Sequence, residues 1–208
     1  MTIARFSFPT TIHFGPGARK LVADHLKAEG IARPLIVTDR GIAPLPLLAD
    51  FVAALPGLDV AVYSEIWGNP VRSQVKQGAA AYKAHNADAV IGLGGGAALD
   101  VAKAIALMAS HPGDILEYAW DHPRVRPIDQ PIPWFVAMPT TAGTGSEVTR
   151  NAVLSSPEHR VKASLRSPLM LPRAAIVDPD LLVGLPAHVL AASGLDAFAQ
   201  LVEPFVSV

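Results

Sequence analysis

The segment that most constrains this chain is residues 89–103, where the apolar run Ala89-Val-Ile-Gly-Leu93 breaks into Gly94, Gly95 and Gly96 and continues as an Ala-rich stretch with helical spacing through Lys103. That order reads as a buried strand, a tight turn and a helix start. Glycine has no Cβ, so the backbone can take positive φ and approach a ligand closely. The first amides of the following helix have no intrahelical acceptor and lie at the positive end of its dipole. An anion, most often a phosphate, fits there. A strand-to-helix turn with no ligand is the competing reading. Three consecutive glycines, with Asp100 and Lys103 in the first helical turns, favour binding.

The rest of the chain sets this unit in an alternating pattern. Short apolar segments at 11–14, 34–39, 59–63, 87–93 and 134–138 predict strands, and amphipathic segments at 18–29, 45–55, 71–85 and 97–109 predict helices. Such alternation implies crossover connections and a parallel sheet covered on both faces. Residues 110–133, rich in Pro, Asp and His, predict a long loop with a helical turn near 115–119. Further strands are expected at 161–165 and 174–177. From Pro186 the pattern becomes helical, with an expected break at Ser193-Gly194, so a change of domain is placed near 179–185.

Composition narrows the class. In 208 residues half are hydrophobic, 17% are charged and the net charge is −1, with no basic stripe to suit nucleic acid. Cysteine is absent, which excludes disulfides and Cys-ligated zinc. No secretory signal pattern opens the chain, and no uninterrupted apolar run reaches the roughly 18 residues a membrane span needs. A soluble cytoplasmic protein without a membrane or nucleic-acid partner is expected.

Three polar constellations carry chemistry. Gly92-x-Gly94-x-x-Ala97 matches a dinucleotide fingerprint superficially, but follows the third parallel strand rather than the first, and the strand-end acid, Asp39, lies upstream. Asp39 can accept hydrogen bonds from both ribose hydroxyls of an adenosine and would repel a 2′-phosphate, favouring NAD over NADP; alternatively it caps a local turn with Gly41. Met138-Pro-Thr-Thr-Ala-Gly-Thr-Gly-Ser-Glu-Val-Thr149 puts four threonines and a serine in one loop after a buried strand, suited to a pyrophosphate or ribose-nicotinamide unit. Asp196, Gln200 and Glu203, at i, i+4 and i+7, share a helix face. The seven histidines show no ligand spacing along the chain and read as surface or loop residues.

Gly94-Gly-Gly-Ala-Ala-Leu-Asp-Val-Ala-Lys103, the Met138–Thr149 segment and Gly194-Leu-Asp-Ala-Phe-Ala-Gln-Leu-Val-Glu203 together resemble the iron-containing (group III) alcohol dehydrogenase family. His13-Phe-Gly-Pro-Gly17 and Asp178-Pro179 agree with it. The resemblance implies an α/β architecture of the dehydroquinate synthase-like kind. A parallel-sheet dinucleotide-binding domain (residues 1–182) would be followed by the beginning of an all-helical metal and substrate domain (183–208). It implies an NAD-dependent oxidoreductase that moves a hydride between an alcohol or aldehyde and the nicotinamide, possible as a homodimer, with Fe²⁺ or Zn²⁺ polarising the alcohol oxygen. Asp39 would read the adenosine ribose. Gly95, Gly96, Ala97 and Asp100 would line the pyrophosphate site, and Thr140, Thr141 and Thr144 the phosphate and nicotinamide side. Lys162 would lie near the nicotinamide ribose, Asn69 joins the cofactor-binding set, and Asp196 and Gln200 occupy metal-ligand positions. No residue is assigned to catalysis.

Two departures qualify the resemblance. Ala97 stands where the family usually has serine, which removes one hydroxyl contact to phosphate. Gln200 stands where a histidine ligand is usual, and an amide oxygen is a poor Fe²⁺ ligand beside imidazoles. A metal-independent reductase like the maleylacetate reductases, or an inactive nucleotide-binding fragment, are the alternatives. Because the family's remaining histidine ligands would lie beyond residue 208, the chain by itself is expected to be inactive as a dehydrogenase.

Overall fold

Apolar strands of the kind predicted assemble into one six-stranded sheet in the computed structural model, which describes residues 9–207. Residues 1–8 and Val208, included in the expected domain ranges, lie outside the described residues. In chain order the elements are β1 (Thr11–Phe14), α1 (Leu21–Ala28), β2 (Pro34–Val37), α2 (Pro46–Ala53), β3 (Ala61–Tyr63), α3 (Arg72–Ala84), β4 (Ala89–Gly94), α4 (Gly96–Ser110), β5 (Trp134–Pro139), β6 (Asn151–Ser156), β7 (Val161–Arg166), β8 (Ala174–Val177) and α5 (Ala187–Val206). The sheet order is β1-β8-β5-β4-β2-β3, and every pairing in it is parallel.

Successive side chains of a strand point to opposite faces, so a strand covered on both sides must be apolar throughout. In β2, Leu35 and Val37 join the core on one face, with α3 and α4, while Ile36 joins the core on the other, with α1 and α2. In β5, Phe135 and Ala137 face the first core and Val136 and Met138 the second. Helix α4 is buried along most of its length, with Leu99, Val101, Ala102, Ala104, Ile105 and Leu107 enclosed. Its alanines let it lie close against the sheet: a Cβ on Gly92 of β4 would already be 3.1 Å from the Ala102 Cβ.

The strand expected at 161–165 is present as β7. It lies in a separate two-stranded sheet, paired antiparallel with β6, a strand not expected from the sequence, from Asn151↔Arg166 to Ser156↔Val161. The alternating burial of β6, inside for Ala152, Leu154 and Ser156, marks a strand with one covered face. The break expected at Ser193-Gly194 needs correction: it is absent, since α5 runs unbroken for 20 residues. A helix-interior glycine costs about 1 kcal/mol and does not by itself end a helix. None of the α5 residues is buried, and Leu195, Phe198, Leu201 and Phe205 are exposed. By length and composition α5 is apolar enough to cross a membrane.

Candidate functional site

The chain order of the strands creates a crevice at a definite place. From β2 the chain moves outward to β3, then returns to the other side of β2 with β4. In open α/β sheets ligands bind outside the carboxyl ends of the strands at such a reversal. Three loops converge there: residues 38–42 after β2, the glycine turn after β4, and residues 140–146 after β5.

Close approach explains the glycines. Gly94 has φ +154°, and a Cβ on it would lie 2.6 Å from the Ala98 Cβ and 3.2 Å from Asp39 Oδ2. Gly95 is the N-cap of α4, and no side chain caps the helix. Its first amides therefore remain open to an anion, in a loop that has no side chain to block it. The threonine loop leans on this turn: the Thr140 amide donates to the Gly94 carbonyl at 3.0 Å. A Cβ on Gly95 would lie 3.3 Å from Thr141 Oγ1, and one on Gly96 2.8 Å from Thr144 Cγ2.

A cavity opens on each side of the glycine turn. The larger, about 600 Å³, includes Asp39, Gly95, Thr140 and Thr141, with an apolar wall from Leu45, Pro46, Leu181, Val183, Leu185 and Val189. The smaller, about 390 Å³, includes Gly96, Ala97, Asp100, Thr144, Asn69 and Lys162. The residues singled out as cofactor-binding in the sequence therefore border these two spaces. The apolar wall was missed, because it is spread over three segments and bears no polar pattern. At the carboxyl end of β2, the Thr38 hydroxyl is fully buried without a hydrogen-bond partner among the described residues.

Asp39 is a turn cap as well as a site residue. Its Oδ1 accepts from the Gly41 amide at 2.8 Å and the Ile42 amide at 3.0 Å, and its Oδ2 faces the Gly94 turn. Asp100 borders the smaller cavity but is committed to the protein: Oδ1 accepts from Ser146 Oγ at 2.6 Å and Oδ2 from the Val153 amide at 3.1 Å. Lys103 is turned away from the glycine turn, contrary to the expectation that it supports binding. Its ammonium, almost wholly buried, shares its three N–H groups among four acceptors within 3.1 Å: Ser146 Oγ, Thr149 Oγ1 and the carbonyls of Thr149 and Asn151. Burial drives its pKa down to about 8, while the Asp100 and Glu147 carboxylates oppose the shift. Burial likewise pushes the Asp100 carboxyl up, against the Ser146 hydrogen bond and the Lys103 charge. The pair fastens the 146–153 segment to α4.

Asp196 and Gln200 come to the threonine loop from α5. A Cβ on Gly143, whose φ is +98°, would lie 2.4 Å from Asp196 Oδ2, and Gln200 Nε2 donates to the Gly143 carbonyl at 2.5 Å. The predicted metal site does not fit on these two alone. Gln200 offers only a neutral amide oxygen beside the one carboxylate, and no group of three or more His, Cys, Asp or Glu suited to a metal occurs among the described residues to complete the set.

The family model for iron-containing alcohol dehydrogenase matches residues 9–179. The 4-hydroxybutyrate dehydrogenase of Cupriavidus necator is 39% identical over 199 residues, covering 95% of this chain and 52% of the relative. An alcohol dehydrogenase structure from Oenococcus oeni superposes with TM-score 0.90 at 35% identity, over 99% of this chain and 54% of that one. A sulfoacetaldehyde reductase from Bifidobacterium kashiwanohense, solved in complex with NAD⁺, gives 0.89 at 30% identity, over 100% and 54%. The chain thus spans about half the length of the relatives it matches. With most of its described residues inside the family match, and with the glycine turn, threonine loop and strand-end acid gathered at one crevice, the chain belongs to the iron-containing alcohol dehydrogenase family.

Proposed function

We propose that this chain is the nucleotide-binding part of an NAD-dependent dehydrogenase that interconverts an alcohol and its aldehyde. The observation that carries this is the pair of cavities meeting at the uncapped start of α4. A dinucleotide has the same form: two nucleoside halves joined by a doubly charged bridge. On this reading the bridge lies on the amides that follow Gly95. The adenosine half fills the larger, apolar cavity, with its ribose hydroxyls on Asp39. The nicotinamide half lies in the smaller cavity beside Thr144, Asn69 and Lys162. The bound nicotinamide supplies the hydride chemistry. The residues of this chain bind and orient it, and the fixed Asp39 charge disfavours the extra phosphate of NADP. The segment 183–208 is read as the start of a second, helical domain, and the protein as soluble and cytoplasmic.

Titration with NAD⁺ tests the reading. Amide signals of residues 94–100 and of 140–144 shift together on binding, and NADP⁺ binds more weakly. If those signals stay in place at millimolar NAD⁺ in a folded sample, the reading fails. The substrate is proposed as a small alcohol or aldehyde, taken up where α5 meets the threonine loop. This chain alone supplies Asp196 and Gln200 as metal donors, so it is expected to bind NAD⁺ without alcohol-dependent NADH formation. A second reading, a metal-independent reductase, draws on the Gln200–Gly143 contact. Metal analysis of a catalytically active form separates the two.

A further inference from the structure

A second cluster lies away from the crevice, on the edge of the sheet. His13 is in the edge strand β1 and His25 in α1, and both are half-buried. Their Nε2 atoms are 3.0 Å apart, and their ring centroids are 4.8 Å apart at an interplanar angle of 62°. His13 opens the segment 13–17 that agrees with the family, but no such motif includes His25, and the crevice uses neither residue.

Two arrangements bring imidazole nitrogens this close. In one, a ring N–H points straight at the other ring's lone pair. In the other, both lone pairs converge on a common point beside the N···N line. The centroid distance tests the straight arrangement. With Nε2 about 1.15 Å from its ring centre and a metal–nitrogen bond of about 2.05 Å, a head-on pair puts the centroids about 5.3 Å apart, whereas two rings radiating from one ion put them about 4.7 Å apart. The observed 4.8 Å lies close to the convergent value, and its shortfall from the head-on value means that a direct ring-to-ring N–H···N contact is strongly bent. The same bond length and a 3.0 Å N···N separation give an N–metal–N angle of about 94°, the cis angle of tetragonal Ni²⁺ or Cu²⁺. A tetrahedral Zn²⁺ needs the nitrogens about 0.3 Å further apart.

We infer that His13 and His25 form a two-imidazole chelate for a divalent ion of the Ni²⁺ or Cu²⁺ kind, with water completing the coordination shell. Ligand and ion together tie the β1 edge to α1, across residues otherwise linked by the Gly15-Pro16-Gly17 turn. Four other histidines hydrogen-bond elsewhere: His85 to the Asp59 carbonyl, His111 to the Leu107 carbonyl, His122 to the Arg124 amide and His159 to Ser156. The site is independent of the dinucleotide reading and shares no residue with it.

The test uses Cu²⁺ and Ni²⁺ added to chelator-stripped chain. One equivalent of Cu²⁺ is expected to broaden the ring proton signals of His13 and His25 before those of the other histidines. Its electron paramagnetic resonance spectrum should report two equivalent nitrogens. Ni²⁺ should raise the melting temperature, since an ion that binds the folded chain stabilises it. His13→Gln and His25→Gln should each remove both effects while leaving the NAD⁺-dependent shifts at 94–100 unchanged. Uniform broadening of all histidines, no ion retained at micromolar concentration, or a copper signal that persists when both residues are replaced would each overturn the inference. The wild-type measurement stands even if a variant fails to fold, and loss of NAD⁺ binding alone would bear only on the functional proposal.

Discussion

At the residue scale, charge placement decides most outcomes. Asp39 both caps its turn and offers a carboxylate to the larger cavity. Asp39→Asn keeps an oxygen for the Gly41 and Ile42 amides but removes the charge. We expect NAD⁺ affinity to fall by roughly tenfold, or ~1.4 kcal/mol, while discrimination against NADP⁺ shrinks, as read by parallel titrations. Lys103 is the opposite case, a charge enclosed for structure. Lys103→Met leaves four acceptors without their donor and the Asp100 carboxyl without its cation, so urea unfolding should show a loss of about 3 kcal/mol. Its pKa, lowered in the fold to about 8, means that the unfolded chain holds the proton more tightly. The stability linked to this group is therefore present above the ordinary lysine value and lost as pH falls through about 8. Wild-type stability, compared with that of the Met variant, should rise between pH 8 and 10.

At the scale of elements, the crevice is a meeting of loop and helix ends held at close quarters. Gly94→Ala sets a Cβ 2.6 Å from that of Ala98 at a φ that L-residues rarely adopt. We expect a cost of about 2 kcal/mol and loss of NAD⁺ binding, because the α4 N-terminus must shift away. Gly143→Ala meets the Asp196 carboxylate and the Ser193 carbonyl, so it should separate α5 from the threonine loop. Loss of the NMR contacts between residues 143 and 196–200, with the sheet signals unchanged, would show it. The glycine turn, its strand and its helix were legible in sequence because local spacing dictates them. Of the β6–β7 hairpin, the strand at 161–165 was legible, but β6 and the antiparallel pairing were not, because the pairing joins two short segments across a turn and the covered face is decided by α4. The Ser193-Gly194 break was misread for a related reason: a local breaker signal competes with continuous hydrogen bonding on both sides, and here the helix wins.

For the whole molecule, the two cores on the faces of the sheet hold the fold, and α5 contributes little to either. Removing residues 187–208 should therefore lower the melting temperature by less than ~3 °C, a small share of the cooperative transition. A larger drop would mean that α5 supports the sheet through contacts its exposure does not reveal. The exposed Leu195, Phe198, Leu201 and Phe205 also predict that the removal reduces self-association in sedimentation measurements, since a continuous apolar patch favours burial against another surface.

The sequence by itself determined the alternation of strand and helix, the glycine turn and the family motifs, because each depends on residues close together in the chain. Tertiary structure alone decided that Lys103 is a buried anchor rather than a ligand contact, that apolar residues from three segments wall one cavity, and that His13 and His25 meet at 3.0 Å. Those facts depend on which distant segments the sheet order brings side by side, and no local spacing encodes that distance.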